Sequence, residues 1–127
     1  MSFAMFHTEM NWSRSEKQAA RRVFDKAFSA QCLAITEEAK RMIANITQPS
    51  DIWRVHDYLS EHRSAVGRTY DYRYSKLLSV FSLLLAEGWL TESDLADFHQ
   101  TKVERIKAGA AFIARRDRPQ VLDQSGR

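Results

Sequence analysis

The chain has 127 residues, of which 44% are hydrophobic and 28% are charged, and its formal net charge is +3. This length suits one domain with its own core, and the small net charge argues against the dense cationic surface of phosphate-driven nucleic-acid binding. The single cysteine, Cys32, excludes an intrachain disulfide and a cysteine-cluster metal site, and it fits a reducing compartment.

The N-terminal residues do not form a secretory signal, because no basic region followed by an apolar run is present. The longest apolar stretch, near Leu77–Leu90, is interrupted by polar residues and is too short to span a bilayer. We therefore expect a flexible N-terminus over residues 1–12, no membrane insertion and a cytoplasmic location.

The first predicted helix begins at Ser13. Ser13 and Glu16 match a capping box, in which each side chain binds the backbone amide of the other residue. An apolar seam then follows in alternating steps of four and three: Phe28, Cys32, Ile35, Ala39, Met42 and Ile46. The pattern predicts a helix of roughly 30 residues, about 45 Å long, whose apolar stripe needs an equally long partner.

The second predicted helix follows a turn at Pro49, with Ser50 as its N-cap, and runs to about Gly67 or Tyr70. The two helices form a long hairpin over about residues 13–70. The second helix carries two stripes. Its apolar seam contains Ile52, Val55, Leu59 and Val66, and a neighbouring face presents Trp53, His56, Asp57 and Ser60.

Two shorter helices are predicted to form a compact head over about residues 71–115. Asp71 is the expected cap of a third helix through Glu87, and Gly88 is the expected left-handed residue after it. A capping-box variant at Thr91–Asp94 predicts a fourth helix, whose apolar face is Leu95, Phe98, Lys102, Ile106 and Ala110. One all-helical domain thus spans 13–115, and residues 116–127 are expected to form a disordered tail.

The polar stripe of the second helix allows several interpretations. Asp57 and Arg63 lie about 120° apart around the helix and about 9 Å along it, so they suit an ion pair across a two-fold axis. The alternative is a local pair between Asp57 and Arg54. Trp53 suits a protein interface, although a lone tryptophan on a helix is also compatible with a core position.

Enzymatic and metal-binding functions have weak support in the sequence. Adjacent helical residues such as His56 and Asp57 project about 100° apart, which does not suit a catalytic pair. The four histidines show no metal-binding motif, so we predict no enzyme, no metal and no cofactor. The tyrosines at 70, 72 and 74 around Arg73 could stack on single-stranded bases, but Asp71 makes nucleic-acid binding unlikely.

The run Asp51–Leu59, together with Arg63, Tyr70–Ser75 and Val80–Phe81, resembles the fluorescence recovery protein family of cyanobacteria. The spacing of the Trp, His, Asp and Arg residues is fairly specific, and a looser similarity extends from about Trp12 to about Ala108. The resemblance implies an all-helical homodimer that binds the photoactivated orange carotenoid protein. It also implies that binding speeds the return of that partner to its resting orange form and so ends photoprotective quenching at the phycobilisome.

The resemblance also suggests which residues act. We expect partner contacts from Trp53, His56, Asp57 and Arg63, and a dimer interface that includes Ile52, Leu59, Asp57 and Arg63. In the head, Ser79 aligns with a family aromatic that contacts the partner, so Phe81 and Arg105 are the candidate head contacts. The alternatives are a divergent helical regulatory module of a non-photosynthetic bacterium that binds another protein or nucleic acid, and a purely structural helical dimer.

Overall fold

The computed structural model describes residues 11–117, and all of the regular secondary structure in that range is helical. The α-helices are α1 (Arg14–Ala44), α2 (Ile52–Thr69), α3 (Leu77–Ala86) and α4 (Gln100–Arg116). Short 3-10 segments at Pro49–Asp51 and Glu92–Leu95 precede α2 and α4. The all-α fold class is therefore confirmed. Residues 1–10 and 118–127, where a flexible N-terminus and a tail were predicted, lie outside the described residues.

Helix α1 begins as the sequence predicts. The Glu16 amide donates to Ser13 Oγ at 3.1 Å, and the Ser13 amide donates to Glu16 Oε1 at 3.0 Å. The helix is 31 residues long and continues without interruption to Ala44. The capping box and the length of the first helix are both confirmed.

The turn between α1 and α2 is closed by Asp51 rather than by Ser50. The amides of Thr47 and Gln48 donate to Asp51 Oδ2 at 3.0 and 3.1 Å. These two backbone hydrogen bonds hold the pKa of Asp51 below its usual value. The prediction that Ser50 caps α2 is wrong, because the Asp51 carboxylate reaches back over the proline to both amides.

The head differs from the prediction at two helix starts. Asp71 does not cap α3, which begins six residues later at Leu77; its carboxylate instead binds the Arg73 guanidinium. The capping box at Thr91 forms, but it opens a 3-10 segment, and α4 starts at Gln100 with His99 as its N-cap. The end of α3 is as predicted, since Gly88 has φ +86° and the Trp89 amide donates to Leu84 O at 2.9 Å.

The core lies where α3 and α4 pack on the first half of α1. The residues predicted for the apolar face of the fourth helix are all buried, including Lys102, and the largest fully buried side chains are Phe81, Leu77, Leu84, Leu95 and Ile106. Phe81 stacks on Phe98 with their ring centroids 5.6 Å apart. The prediction of a partner contact through Phe81 is therefore wrong, because this ring is a core residue with 0% exposure.

Trp12 also belongs to the core and not to a flexible segment. Its side chain is 8% exposed and meets the Phe98 ring edge-on at 5.9 Å. The preceding carbonyl, Asn11 O, accepts from Lys102 Nζ at 2.6 Å. For residues 11 and 12 the predicted flexible N-terminus is thus wrong, because packing and a hydrogen bond hold both of them against α4.

Candidate functional site

The candidate site is the polar stripe of α2, which we call the α2 patch: Trp53, His56, Asp57, Ser60 and Arg63. All five side chains are exposed. Trp53 is 64% exposed, so the alternative that it is a core residue is wrong for this chain. The underlying helix is anchored on its opposite side, where Val55 is buried. Of the predicted apolar seam, however, Ile52 and Leu59 are 43% and 42% exposed in a single copy of the chain.

The first half of the α2 patch forms a local cluster. The Trp53 and His56 rings meet edge to face with centroids 6.4 Å apart, and His56 Nδ1 lies 3.4 Å from Asp57 Oδ1. The side chains of His56 and Asp57 are 69% and 74% exposed. A flat aromatic ring beside a hydrogen-bonding imidazole and a solvated carboxylate is suited to protein recognition, since each group can bind a partner without first breaking a strong internal contact.

Asp57 and Arg63 of the α2 patch do not pair with each other within the described part of one chain. Within residues 11–117, Asp57 forms no ion pair with Arg63 or with Arg54. The ion pair between Asp57 and Arg54, which was the local alternative to a pair across a two-fold axis, is therefore not present in this part of the chain. Arg63 remains exposed at the other end of the patch, where its guanidinium is available to a carboxylate on another chain.

An apolar groove adjoins the α2 patch between α1 and α2. It has a volume of about 510 Å³, and its lining includes Phe28, Cys32, Ile35, Leu59, Arg63 and Val66. Phe28 and Leu59 each leave 42% of their surface exposed, and Ile52 leaves 43%. Of the predicted α2 seam only Val55 is fully buried, so the groove remains largely uncovered in one copy of the chain. The sequence did not predict this groove, because its walls come from both helices of the hairpin.

The tyrosine run at the head is used for packing rather than presented as a stacking surface. The Tyr70 ring contacts the edges of Phe24 and Phe28, each with centroids 5.2 Å apart, and burial raises the pKa of Tyr70 to about 12. Arg21 lies 3.7 Å from the centroid of the Tyr72 ring. These contacts leave little free aromatic surface on Tyr70 and Tyr72 for nucleic-acid bases, whereas Tyr74 remains 36% exposed.

The remaining expectations concern the head, metals and membranes. Arg105 is exposed on α4. In the described part of the chain, no group of three or more His, Cys, Asp or Glu side chains is placed to hold a metal ion. Within residues 11–117, no helix combines the length and apolar character needed to cross a bilayer.

Comparisons with known proteins agree with this geometry. The model of the family described as photoprotection regulator fluorescence recovery protein matches residues 12–110. The fluorescence recovery protein of Synechocystis sp. is 34% identical over 100 residues, which cover 79% of this chain and 92% of the relative.

Solved structures give the same result. The fluorescence recovery protein of Fremyella diplosiphon superimposes with a TM-score of 0.76 at 33% identity, covering 80% of this chain and 99% of that one. The protein of Synechocystis sp. superimposes with the same TM-score and coverage at 34% identity. With most of its length matched in both sequence and fold, the chain belongs to the fluorescence recovery protein family.

Proposed function

We propose that this protein binds a photoactivated orange carotenoid protein and accelerates its return to the resting orange form, which ends photoprotective quenching. The family's description names a photoprotection regulator and not an enzyme. The observation that carries the proposal is the exposure of the whole α2 patch. Trp53, which is 64% exposed, lies on the same helix as the half-exposed Ile52 and Leu59, and clustered exposed apolar side chains of this kind mark protein interaction sites.

The proposed mechanism requires differential affinity. A binding protein shifts a conformational equilibrium only by as much as it prefers one state over another. The α2 patch would therefore bind the carotenoid protein on its path to closure more tightly than in its open state. Trp53 and His56 would provide recognition, and the Arg63 guanidinium would provide the strongest single contact, because it can bind a carboxylate through two hydrogen bonds.

We further propose that the protein forms a homodimer built on the hairpin, and that the dimer, or a monomer released from it, binds the partner. The groove beside α2 and the half-exposed Ile52 and Leu59 suit coverage by a second copy of the same surface. Across a two-fold axis, Asp57 of one copy would face Arg63 of the other, and the contact would be made twice. Arg105, exposed on α4, remains the proposed head contact.

The function is tested by following the absorbance change of a photoactivated orange carotenoid protein in the dark. The red-to-orange relaxation is recorded with and without this protein at a substoichiometric ratio. Acceleration is expected, because a released helper can act on many partner molecules. An unchanged rate in the presence of folded protein, with folding checked by circular dichroism, would refute the proposed function.

A further inference from the structure

A second charged surface lies where the first turns of α1 pass the segment that leads into α3. It is an open groove of about 530 Å³, which we call the basic groove, and it is lined by Arg14, Lys17, Gln18, Arg21, Tyr72 and Tyr74. Four of these residues come from α1 and two from the segment before α3. None of them belongs to the α2 patch, to the apolar groove of the hairpin or to the proposed head contact at Arg105. The basic groove is therefore a separate surface.

The cations of the basic groove form a row along α1. Arg14, Lys17 and Arg21 follow one another in steps of three and four residues, so they lie on one face of the helix and span about 10 Å along its axis. Within residues 11–117, no carboxylate forms an ion pair with Arg14 or Lys17, whereas Arg21 has Asp25 at 3.4 Å. Three cations against one carboxylate leave the row with two uncompensated positive charges.

The position of this row is unfavourable for the helix itself. Arg14 is the first residue of α1 and Lys17 follows three residues later, at the helix end where the free amides carry positive charge and cations are disfavoured. The carboxylate of that turn, Glu16, is buried and bound to Lys102, so it does not neutralise the row. Helix stability therefore does not account for these cations, and their charge adds to that of the helix end in attracting an anion.

Two tyrosine rings hold the cations in place. Arg21 Cζ lies 3.7 Å from the centroid of the Tyr72 ring, and Lys17 Nζ lies 5.3 Å from the centroid of the Tyr74 ring. The Tyr72 ring rests in turn on the core, with its centroid 4.8 Å from that of Phe24. A cation held in this way loses less conformational entropy when it binds an anion, because its side chain is already ordered.

We infer that the basic groove is a docking site for the acidic face of a helix in a partner protein. A partner helix with carboxylates at steps of three and four residues repeats the spacing of Arg14, Lys17 and Arg21, because both helices rise by about 1.5 Å per residue. Three charge-assisted contacts then form together. The inference does not rest on the proposed function, since it depends only on the charge and the spacing of the groove residues.

A single-stranded nucleic acid suits the basic groove less well than an acidic helix. Its bases need free aromatic faces on which to stack, but Arg21 lies over the Tyr72 ring and Lys17 lies over the Tyr74 ring. A phosphate chain would therefore bind by charge alone, and its flexible backbone would not require the helical spacing of the cations. Dependence of binding on the spacing of the negative charges thus distinguishes the two occupants.

The test is a titration of the 15N-labelled protein at low ionic strength with two alanine-rich helical peptides of about 20 residues. Each peptide carries three glutamates. In the probe they lie at steps of three and four residues, and in the control they lie at steps of five, which spreads them around the helix. Saturable shifts are expected with the probe for backbone amides from Arg14 to Arg21 and for those of Tyr72 and Tyr74. The control peptide is expected to bind at least about threefold more weakly.

Two double variants show whether the row of cations binds the probe. Arg14→Gln with Lys17→Gln removes the two unpaired cations and is expected to weaken binding about fivefold or more. Lys40→Gln with Arg115→Gln removes the same charge elsewhere and is expected to leave the affinity within about twofold. All four side chains are exposed, and circular dichroism checks that both variants are folded.

A pair of substitutions at Gln18 places opposite charges among the cations. Gln18 is exposed and lies on the same face of α1. Gln18→Glu is expected to weaken binding of the probe about threefold, and Gln18→Lys is expected to strengthen it by a similar factor. The inference is overturned if the probe gives no saturable shifts in the basic groove, if the two peptides bind equally, or if both double variants weaken binding alike. Tighter binding of an oligothymidine of the same net charge would also overturn it.

Discussion

At the residue scale, the buried ion pair between Lys102 and Glu16 joins the start of α4 to the start of α1. Lys102 Nζ lies 3.1 Å from Glu16 Oε1, and both side chains are 9% exposed. Glu16 also accepts from the His99 amide at 2.8 Å, and Lys102 donates to Asn11 O. Such a pair stabilises the fold only while both charges are present, because either charge alone would be buried without its partner.

Replacing Lys102 with methionine should therefore be strongly destabilising. The change leaves the Glu16 carboxylate buried without its cation, for which we expect a loss of about 3 kcal/mol in the free energy of unfolding. The matched control is Lys107→Met on the same helix, where the side chain is 47% exposed and pairs with Glu92. That control should cost less than about 1 kcal/mol. Urea denaturation measures both, and equal losses would contradict the assigned role of Lys102.

The same pair predicts how stability depends on pH. Burial acts to raise the pKa of Glu16, but hydrogen bonds from His99, Ser13 and Lys102 outweigh it and leave the pKa below its ordinary value of 4.5. A carboxyl with a lowered folded-state pKa stabilises the fold above its unfolded pKa and loses that contribution as pH falls. Stability should thus decrease below about pH 4.5. Urea midpoints measured from pH 6 to pH 3 should fall less steeply in Glu16→Gln, and parallel curves would rule out this contribution.

At the element scale, the packing of α3 on α4 depends on the absence of a side chain at Gly109. A Cβ atom there would lie 2.9 Å from the Cβ atom of Ser82, which is closer than normal van der Waals contact. Ser82 is 6% exposed, and its hydroxyl donates to Leu78 O at 2.7 Å, so displacing this side chain would break a buried hydrogen bond. The glycine therefore sets how closely the two helices approach.

Gly109→Ala should lower the free energy of unfolding by about 1–2 kcal/mol, because overpacking outweighs the gain in helix propensity. The matched control is Gly67→Ala in α2, where a Cβ atom meets nothing within 4 Å; we expect no loss and a gain of up to about 1 kcal/mol. Thermal and urea unfolding measure both variants. Gly109→Ala made in a Ser82→Gly background should recover most of the loss, and a failure to recover would show that the contact is not the cause.

Helix starts show what local sequence can predict and what it cannot. The capping box at Ser13 could be predicted from the sequence because both of its hydrogen bonds join residues that are three positions apart. The box at Thr91 is equally local, yet it opens only a 3-10 segment. Asp94 there binds Lys26 at 2.5 Å, and Leu95 is fully buried, so contacts distant in sequence decide the geometry. Local signals therefore located the turn but not the helix type.

The candidate site shows the same division. Helical spacing placed the members of the α2 patch on one face, but whether Trp53 lies in the core or in solvent depends on what α1 covers. Phe81 was misplaced for a related reason: nothing in the local sequence indicated that its ring stacks on Phe98, a residue from another element. Periodicity identifies faces, and only tertiary packing determines which face is buried.

At the scale of the whole molecule, the uncovered groove of the hairpin predicts self-association. Arg63→Glu should weaken the dimer by placing two carboxylates together at each cross-axis contact, and the double swap Asp57→Arg with Arg63→Asp should partly restore it. Sedimentation velocity measures the dissociation constant, with Arg54→Glu as the matched charge reversal on the same helix. A dimer unaffected by Arg63→Glu would argue against the cross-axis pair.

The most direct test of the α2 patch is the rate of red-to-orange relaxation of a photoactivated orange carotenoid protein with Arg63→Ala. Loss of a desolvated arginine contact typically costs 2 kcal/mol or more, so acceleration should fall at least about tenfold. Arg115 is exposed at the end of α4, so the Arg115→Ala variant should accelerate relaxation as much as the unmodified protein does. Equal acceleration by Arg63→Ala and Arg115→Ala, with the dimer intact in both, would contradict the proposal that the α2 patch carries the activity.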